Sequence, residues 1–364
     1  MTTRSRWLAL LSLGGILTLL TVAYSFQDEW RLKYSTERFD HIARPPAWAQ
    51  ESSAALLAIN DLPLPDPFWD EVLRRREIRD QWAEEGPARL EAIRRSLPEL
   101  AQSRAAVEVE MEQLLGWLRA ADGYPVIYDM VEDERSTILK YSRVRAWAEL
   151  LGDRARALAA EGRGAEALGL LAEDISHWRR VTGGSWSMVS LMIGTVCLKR
   201  DLAAMEDVIA LDPAALTAGE REWEGQLGEA FTFKPNLSRV LKMEYVWAAF
   251  HLQETYGGFS GLSSGWHFRW RPTLNAMGEI HFALAHVLAE EGSSQDLTEA
   301  SSRVLENVRR SWTNRKGIAL AEESVPAYAK VLAQMEIVES RRAEMAGRFG
   351  GVRPSGDRLV AVGD

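Results

Sequence analysis

Residues 7–26, Trp-Leu-Ala-Leu-Leu-Ser-Leu-Gly-Gly-Ile-Leu-Thr-Leu-Leu-Thr-Val-Ala-Tyr-Ser-Phe, carry no charged side chain. At about 1.5 Å of rise per residue a helix of this length reaches about 30 Å, the thickness of a bilayer's hydrocarbon core. Trp7 at one end, with Tyr24 and Phe26 at the other, lie where aromatic rings settle at membrane interfaces. A cleaved secretory signal shares the basic start (Arg4, Arg6) and the apolar centre, and Ala23-Tyr24-Ser25 offers a cleavage site. The run is longer than the about 7–15 apolar residues of a signal core, so a retained single-pass anchor is expected. No cysteine follows it, which excludes a bacterial lipoprotein anchor. Arg31, Lys33 and Arg38 on the far flank blunt the charge asymmetry. A short basic tail before a first apolar segment nevertheless stays cytoplasmic, which sends the remainder to the periplasm or cell exterior.

The organisation expected is a tail over 1–6, a transmembrane helix over 7–26, a connector over 27–66, a helical soluble domain over 67–349 and a flexible tail over 350–364. Pro45, Pro46, Pro63, Pro65 and Pro67 forbid a continuous helix through the connector, apart from a short one around Ser53 to Ile59. Beyond Pro67 nearly every segment has helical period and no hairpin or alternating strand signal occurs, so the class is all-α. The spacing predicts helices over Phe68–Glu85, Ala88–Leu97, Leu100–Ala121, Arg135–Ala160, Gly164–Val181 and Trp186–Leu211. It places others after Asp212-Pro213 and over Asn236–Tyr256, Asn275–Glu291, Asp296–Trp312 and Val325–Phe349. Asp296 and Glu299 have capping-box spacing. Leu151, Ala155, Leu158, Gly162, Ala167 and Leu171 match a tetratricopeptide-type helical hairpin. With no second copy, an irregular array of antiparallel hairpins is expected rather than a true repeat protein.

A net charge of -9 argues against a chain whose task is to neutralise phosphate backbones, so no nucleic-acid partner is expected. The sole cysteine, Cys197, sits in an apolar helix, where a thiol is a small inert hydrophobe; neither a disulfide nor a cysteine-rich zinc site is available. His281 and His286, five apart, point to different helix faces. Glu279, His286 and Glu290 share a face, and such a trio can hold a metal or move protons, although solvated helices produce it readily. The segment 256–272 is the longest non-helical stretch, and its Phe259, Trp266, His267, Arg269 and Trp270 suit stacking on a sugar, a lipid headgroup or a partner protein; the plainer expectation is a loop that folds its rings into the adjacent core. Arg74-Arg75-Arg76 with Arg79 could face anionic lipid, but Glu71, Glu77 and Asp80 neutralise most of that charge, so a solvated helix face is expected. No catalytic, cofactor or metal set is expected.

Four stretches resemble an uncharacterised family of membrane-anchored helical proteins from proteobacteria: Leu171 to Arg180, Met192-Ile193 with Arg200-Asp201-Leu202, Phe233-Lys234-Pro235-Asn236, and Asn314-Arg315-Lys316-Gly317. Related chains tend to carry proline after the asparagine, where this one has Arg315. The resemblance implies a Gram-negative inner-membrane setting and no chemistry. The expected function is therefore a periplasmic helical scaffold that docks an envelope protein while its anchor occupies the lipid bilayer. The alternative is a glycan- or lipid-acting hydrolase or transferase with Glu and His acid–base groups around 256–290.

Overall fold

The computed structural model describes residues 46–82, 86–121, 123–129, 139–216, 222–256, 270–309 and 315–349. The transmembrane expectation at 7–26, residues 257–269 of the segment expected to be non-helical over 256–272, and the expected tail at 350–364 lie outside them. Among the described residues no helix is long and apolar enough to cross a membrane, and there is no strand.

The described residues form twelve α-helices. They are α1 (Ala49–Leu57), α2 (Asp66–Asp80), α3 (Pro87–Gln102), α4 (Glu108–Ala120), α5 (Tyr141–Ala160), α6 (Gly164–Gly184) and α7 (Met188–Leu211), then α8 (Glu222–Gly228), α9 (Phe233–Tyr256), α10 (Trp270–Ala289), α11 (Ser294–Arg309) and α12 (Arg315–Phe349). The all-α class is thus as the periodicity indicates. The described residues fall into two compact units, one within 238–330 and one within 45–131, 135–237 and 331–364.

The second unit is built on α5, α6 and α7, which pack on one another more closely than other helices of that unit. Their apolar stripes supply its centre: Leu151, Ala155 and Leu158 on α5, Ala167, Leu171 and Ile175 on α6, Leu191, Leu198, Leu202 and Met205 on α7 are all buried. The hairpin expected around Gly162 is present. Gly162 has φ +77°, a left-handed conformation that glycine adopts without a Cβ penalty, and it reverses the chain between α5 and α6. Gly184 ends α6 where the backbone of Ile127 passes so close that any side chain would strike its carbonyl; the Ile127 N–H donates to the Arg180 carbonyl at 3.1 Å.

Several boundaries differ from the periodicity for local reasons. The helix expected over Leu100–Ala121 is two helices. Ser103 breaks it: its hydroxyl bonds the Leu100 carbonyl at 3.3 Å and accepts from Arg74 at 2.6 Å and Arg75 at 2.9 Å. Asp212 does not open a helix, since only a 3-10 turn follows at Pro213–Leu216. Its carboxylate instead accepts from the Gly164 backbone N–H at 2.8 Å, satisfying an orphan donor at the start of α6. The capping box of α11 is Ser293 with Asp296, each side chain taking the other's backbone N–H (3.2 and 2.8 Å), rather than Asp296 with Glu299. In α12 the helix continues through Pro326.

In the first unit Tyr245, Ala249 and Leu252 of α9 cluster with Leu274 of α10, flanked by Met277 and Phe282. Buried His281 joins this core. Its Nδ1–H donates to the Met277 carbonyl at 2.7 Å, so Nε2 is the acceptor for the Tyr328 hydroxyl at 3.0 Å. Burial lowers its pKa to about 4, so the ring is neutral.

Candidate functional site

Phe259, Trp266, His267 and Arg269 lie outside the described residues, and Trp270 opens α10. His281 and His286 do occupy different faces, one enclosed and the other open. His286 Nε2 stands 3.2 Å from Glu290 Oε1, but the two side chains are 73% and 68% exposed, an ordinary surface pair. Glu279 is half-buried on the same helix. Among the described residues no group of three or more His, Cys, Asp or Glu is placed to hold a metal ion.

The polar chemistry is concentrated in the second unit, in two clusters the spacing did not single out. The first is an arginine–carboxylate lattice at the meeting of α2, α3, α5 and α7. The run at 74–79 is not a solvated face: Arg75 is only 5% exposed. Local acids do not account for its charge either. Glu71 takes Arg74 at 2.9 Å and Arg75 at 2.7 Å, but Arg74 also reaches Glu99 of α3 at 2.6 Å and the remaining acidic partners stand on α5. Glu149 takes Arg76 at 3.0 Å and Arg79 at 2.9 Å, and Asp153 takes Arg79 at 2.5 Å and Arg75 at 3.5 Å. Glu149 also takes Arg145 at 2.7 Å and Arg200, from α7, at 3.2 Å. At the far end Asp207 of α7 is gripped by Arg89 and Arg156, each at 2.9 Å through Nε. The Trp82 ring lies under both cations, 5.7 Å from Arg89 and 5.0 Å from Arg156.

Burial alone would raise the pKa of Glu149 and Asp207, but the surrounding guanidinium groups outweigh it and hold both below the ordinary carboxylate range. At Asp153 burial wins and the pKa rises in spite of Arg79, Arg156 and Arg75. Its Oδ1 has no hydrogen bond, only Arg156 at 3.7 Å. Asp153 and Arg75 also line a small pocket of about 70 Å³ walled by Leu100, Met111, Leu150 and Leu158.

The second cluster is drier. Asp174 of α6 and Asp201 of α7 are 0% and 1% exposed and close enough for each to shift the other's titration, while Asp174 Oδ2 and Asp201 Oδ2 have no other hydrogen-bond partner. Two carboxyl groups in contact cannot both ionise, so the pair retains a proton. Burial pushes Asp174 up to about 7 and Asp201 well above the usual range. Trp147 Nε1 of α5 donates to Asp174 Oδ1 at 2.9 Å, so all three helices meet at the pair. One helical turn along α7, burial and the two acids raise the Cys197 thiol, which agrees with an inert cysteine. His177 is also sealed, its ring edge-on to Trp117 at 5.1 Å and Trp178 at 5.0 Å. Neither nitrogen has a hydrogen bond, and burial followed by repulsion from Arg180 lowers its pKa to about 3.

The signal for the second cluster is a charged residue on an otherwise apolar stripe. Asp174 shares a face with Leu171, Ile175 and Trp178; Asp201 shares one with Leu198, Leu202 and Met205. The chain matches no protein-family profile, no curated protein and no solved structure.

Proposed function

We propose that this chain is a helical interaction module tethered to a bacterial inner membrane by residues 7–26, with a periplasmic body that holds an envelope protein. The observation that carries this reading is the α5–α6–α7 stack, locked on one side by the arginine lattice and through its centre by the Asp174–Asp201 pair. A body stiffened in this way offers a fixed outer surface and loses little further freedom on docking. Asp174, Asp201, His177 and Cys197, whose pKa values burial displaces, are enclosed, which supports a packing role for them over contact with a substrate. The uncharged run at 7–26 supports the tether, and the rings of Phe259, Trp266 and Trp270 supply anchors of the kind that dominate interface energetics.

Two measurements test the reading. The full chain is expected to stay with membranes through an alkaline carbonate wash, and deletion of 7–26 to release it; a chain that fractionates freely with soluble extract contradicts the tether. Trp266→Ala with Trp270→Ala is expected to weaken retention of the partner in mild-detergent affinity isolation at unchanged helicity. Unchanged co-purification removes the aromatic segment from the account.

A further inference from the structure

Arg76 on α2, Arg145 on α5 and Arg200 on α7 reach one carboxylate from three helices. Glu149 Oε2 accepts from Arg76 Nη2 at 3.0 Å and Arg79 Nη2 at 2.9 Å, while Oε1 accepts from Arg145 Nε at 2.7 Å and Arg200 Nη1 at 3.2 Å. A carboxylate offers about four lone-pair directions, so Glu149 is saturated while four positive charges share its one negative charge. Among the described residues it is the sole acidic side chain within ion-pairing distance of Arg76, Arg145 and Arg200. Arg79 leans also on Asp153, which Arg75 and Arg156 share. Mutual repulsion is present, since Arg156 and Arg200 both act to lower the pKa of Arg79 after the larger effect of its burial. Asp80, exposed on α2, acts on Arg145 from further away.

Each guanidinium carries five N–H donors in a planar fork. Donors of each are spent on Glu149, and one of Arg200 also on the Arg145 carbonyl at 3.5 Å, while side-chain exposures of 26% (Arg76), 34% (Arg145) and 30% (Arg200) keep part of each side chain in solvent. The geometry points to an oxyanion site on the solvent side of Glu149, in which Arg76, Arg145 and Arg200 cradle a doubly charged phosphate or sulfate group, free or carried on a lipid headgroup. The three forks converge on one carboxylate, so the oxygens of a single tetrahedral anion, each accepting at about 2.8 Å, are within reach of more than one of them. Glu149 fixes the forks in advance, which reduces the ordering lost on binding, and a dianion relieves the repulsion among them. This site does not depend on the membrane tether or on a protein partner.

The test is thermal unfolding of the full chain in neutral detergent, with inorganic phosphate against sodium chloride of equal ionic strength. At ten times its dissociation constant phosphate is expected to raise the Tm of the second unit by about 3 to 5 °C beyond the chloride control. Arg145→Ala with Arg200→Ala is expected to abolish that increment. Should this variant fold poorly, Arg145→Lys with Arg200→Lys keeps the charge, loses the forks and is expected to lose most of the increment. A parallel arm compares micelles doped with phosphatidic acid or with phosphatidylcholine; protection by phosphatidic acid alone places the phosphate on a headgroup, and protection by the free ion places it in solution. The proposal is overturned if neither phosphate source exceeds its matched control, or if the folded variants keep the full increment.

Discussion

Glu149 and Asp174 are acidic residues on neighbouring helices of one stack, and they are kept inside by opposite means. Glu149 is ionised and held by four cations, and its pKa is depressed although burial works against it. Asp174 has a carboxyl group in place of a cation, and the pair remains in the core by keeping a proton. In the lattice, removing a partner leaves charge without compensation; at the pair, removing an acid removes a proton requirement. The same residue class therefore carries opposite mutational and pH signatures in one unit.

The largest expected effect is on the lattice. Glu149→Ala leaves Arg76, Arg79, Arg145 and Arg200 without their common acceptor and is expected to destabilise the second unit by about 3 to 5 kcal/mol in urea unfolding. A loss below about 1 kcal/mol would make the lattice a surface network of little consequence.

The carboxyl pair is expected to respond in the other direction. Its folded pKa values lie above the model-peptide value of 3.8, so its contribution to stability is complete below that value and is lost as pH rises through about 7 and beyond. His177 has the opposite sign: its contribution is present above 6.5 and is lost as pH falls towards about 3. Asp201→Asn keeps a donor beside Asp174 and needs no proton. Above pH 7 it is expected to flatten the alkaline decline by up to about 1.4 kcal/mol per pH unit, read from urea midpoints across pH. An unchanged alkaline slope would show that Asp201 does not retain a proton.

Smaller effects sharpen the contrast. Trp147→Phe deletes the donor to Asp174 Oδ1 and is expected to cost about 1 to 3 kcal/mol and to raise the pair's pKa further, seen as an alkaline decline that continues to higher pH. His286→Ala breaks an exposed pair on α10 and is expected to change stability by less than about 0.5 kcal/mol.

Much of the framework was legible in the sequence because helices declare themselves locally. The stripe through Leu191, Leu198, Leu202 and Met205 and the Gly162 hairpin require only neighbours within a few turns. The arginine run was not legible because its partners are remote: Arg76 and Glu149 are 73 positions apart, and Arg79 and Asp153 are 74. Glu77 and Asp80 stand nearer in sequence, which made local neutralisation the natural expectation, yet both face solvent. Asp174 and Asp201 were visible as charges on apolar stripes, but periodicity gives the face of a helix and not which face it meets. The split of the helix expected at Leu100–Ala121 was hidden likewise, since Ser103 is bound by Arg74 and Arg75 from another helix.

The most direct measurement is infrared detection of protonated aspartic acid in the folded chain at neutral pH, with isotope-labelled aspartate. A protonated carboxyl band that survives at pH 7 in the wild type and is diminished in Asp201→Asn is the predicted result. A spectrum in which every aspartate is ionised at that pH would contradict the shared-proton core and, with it, the contrast between the two clusters.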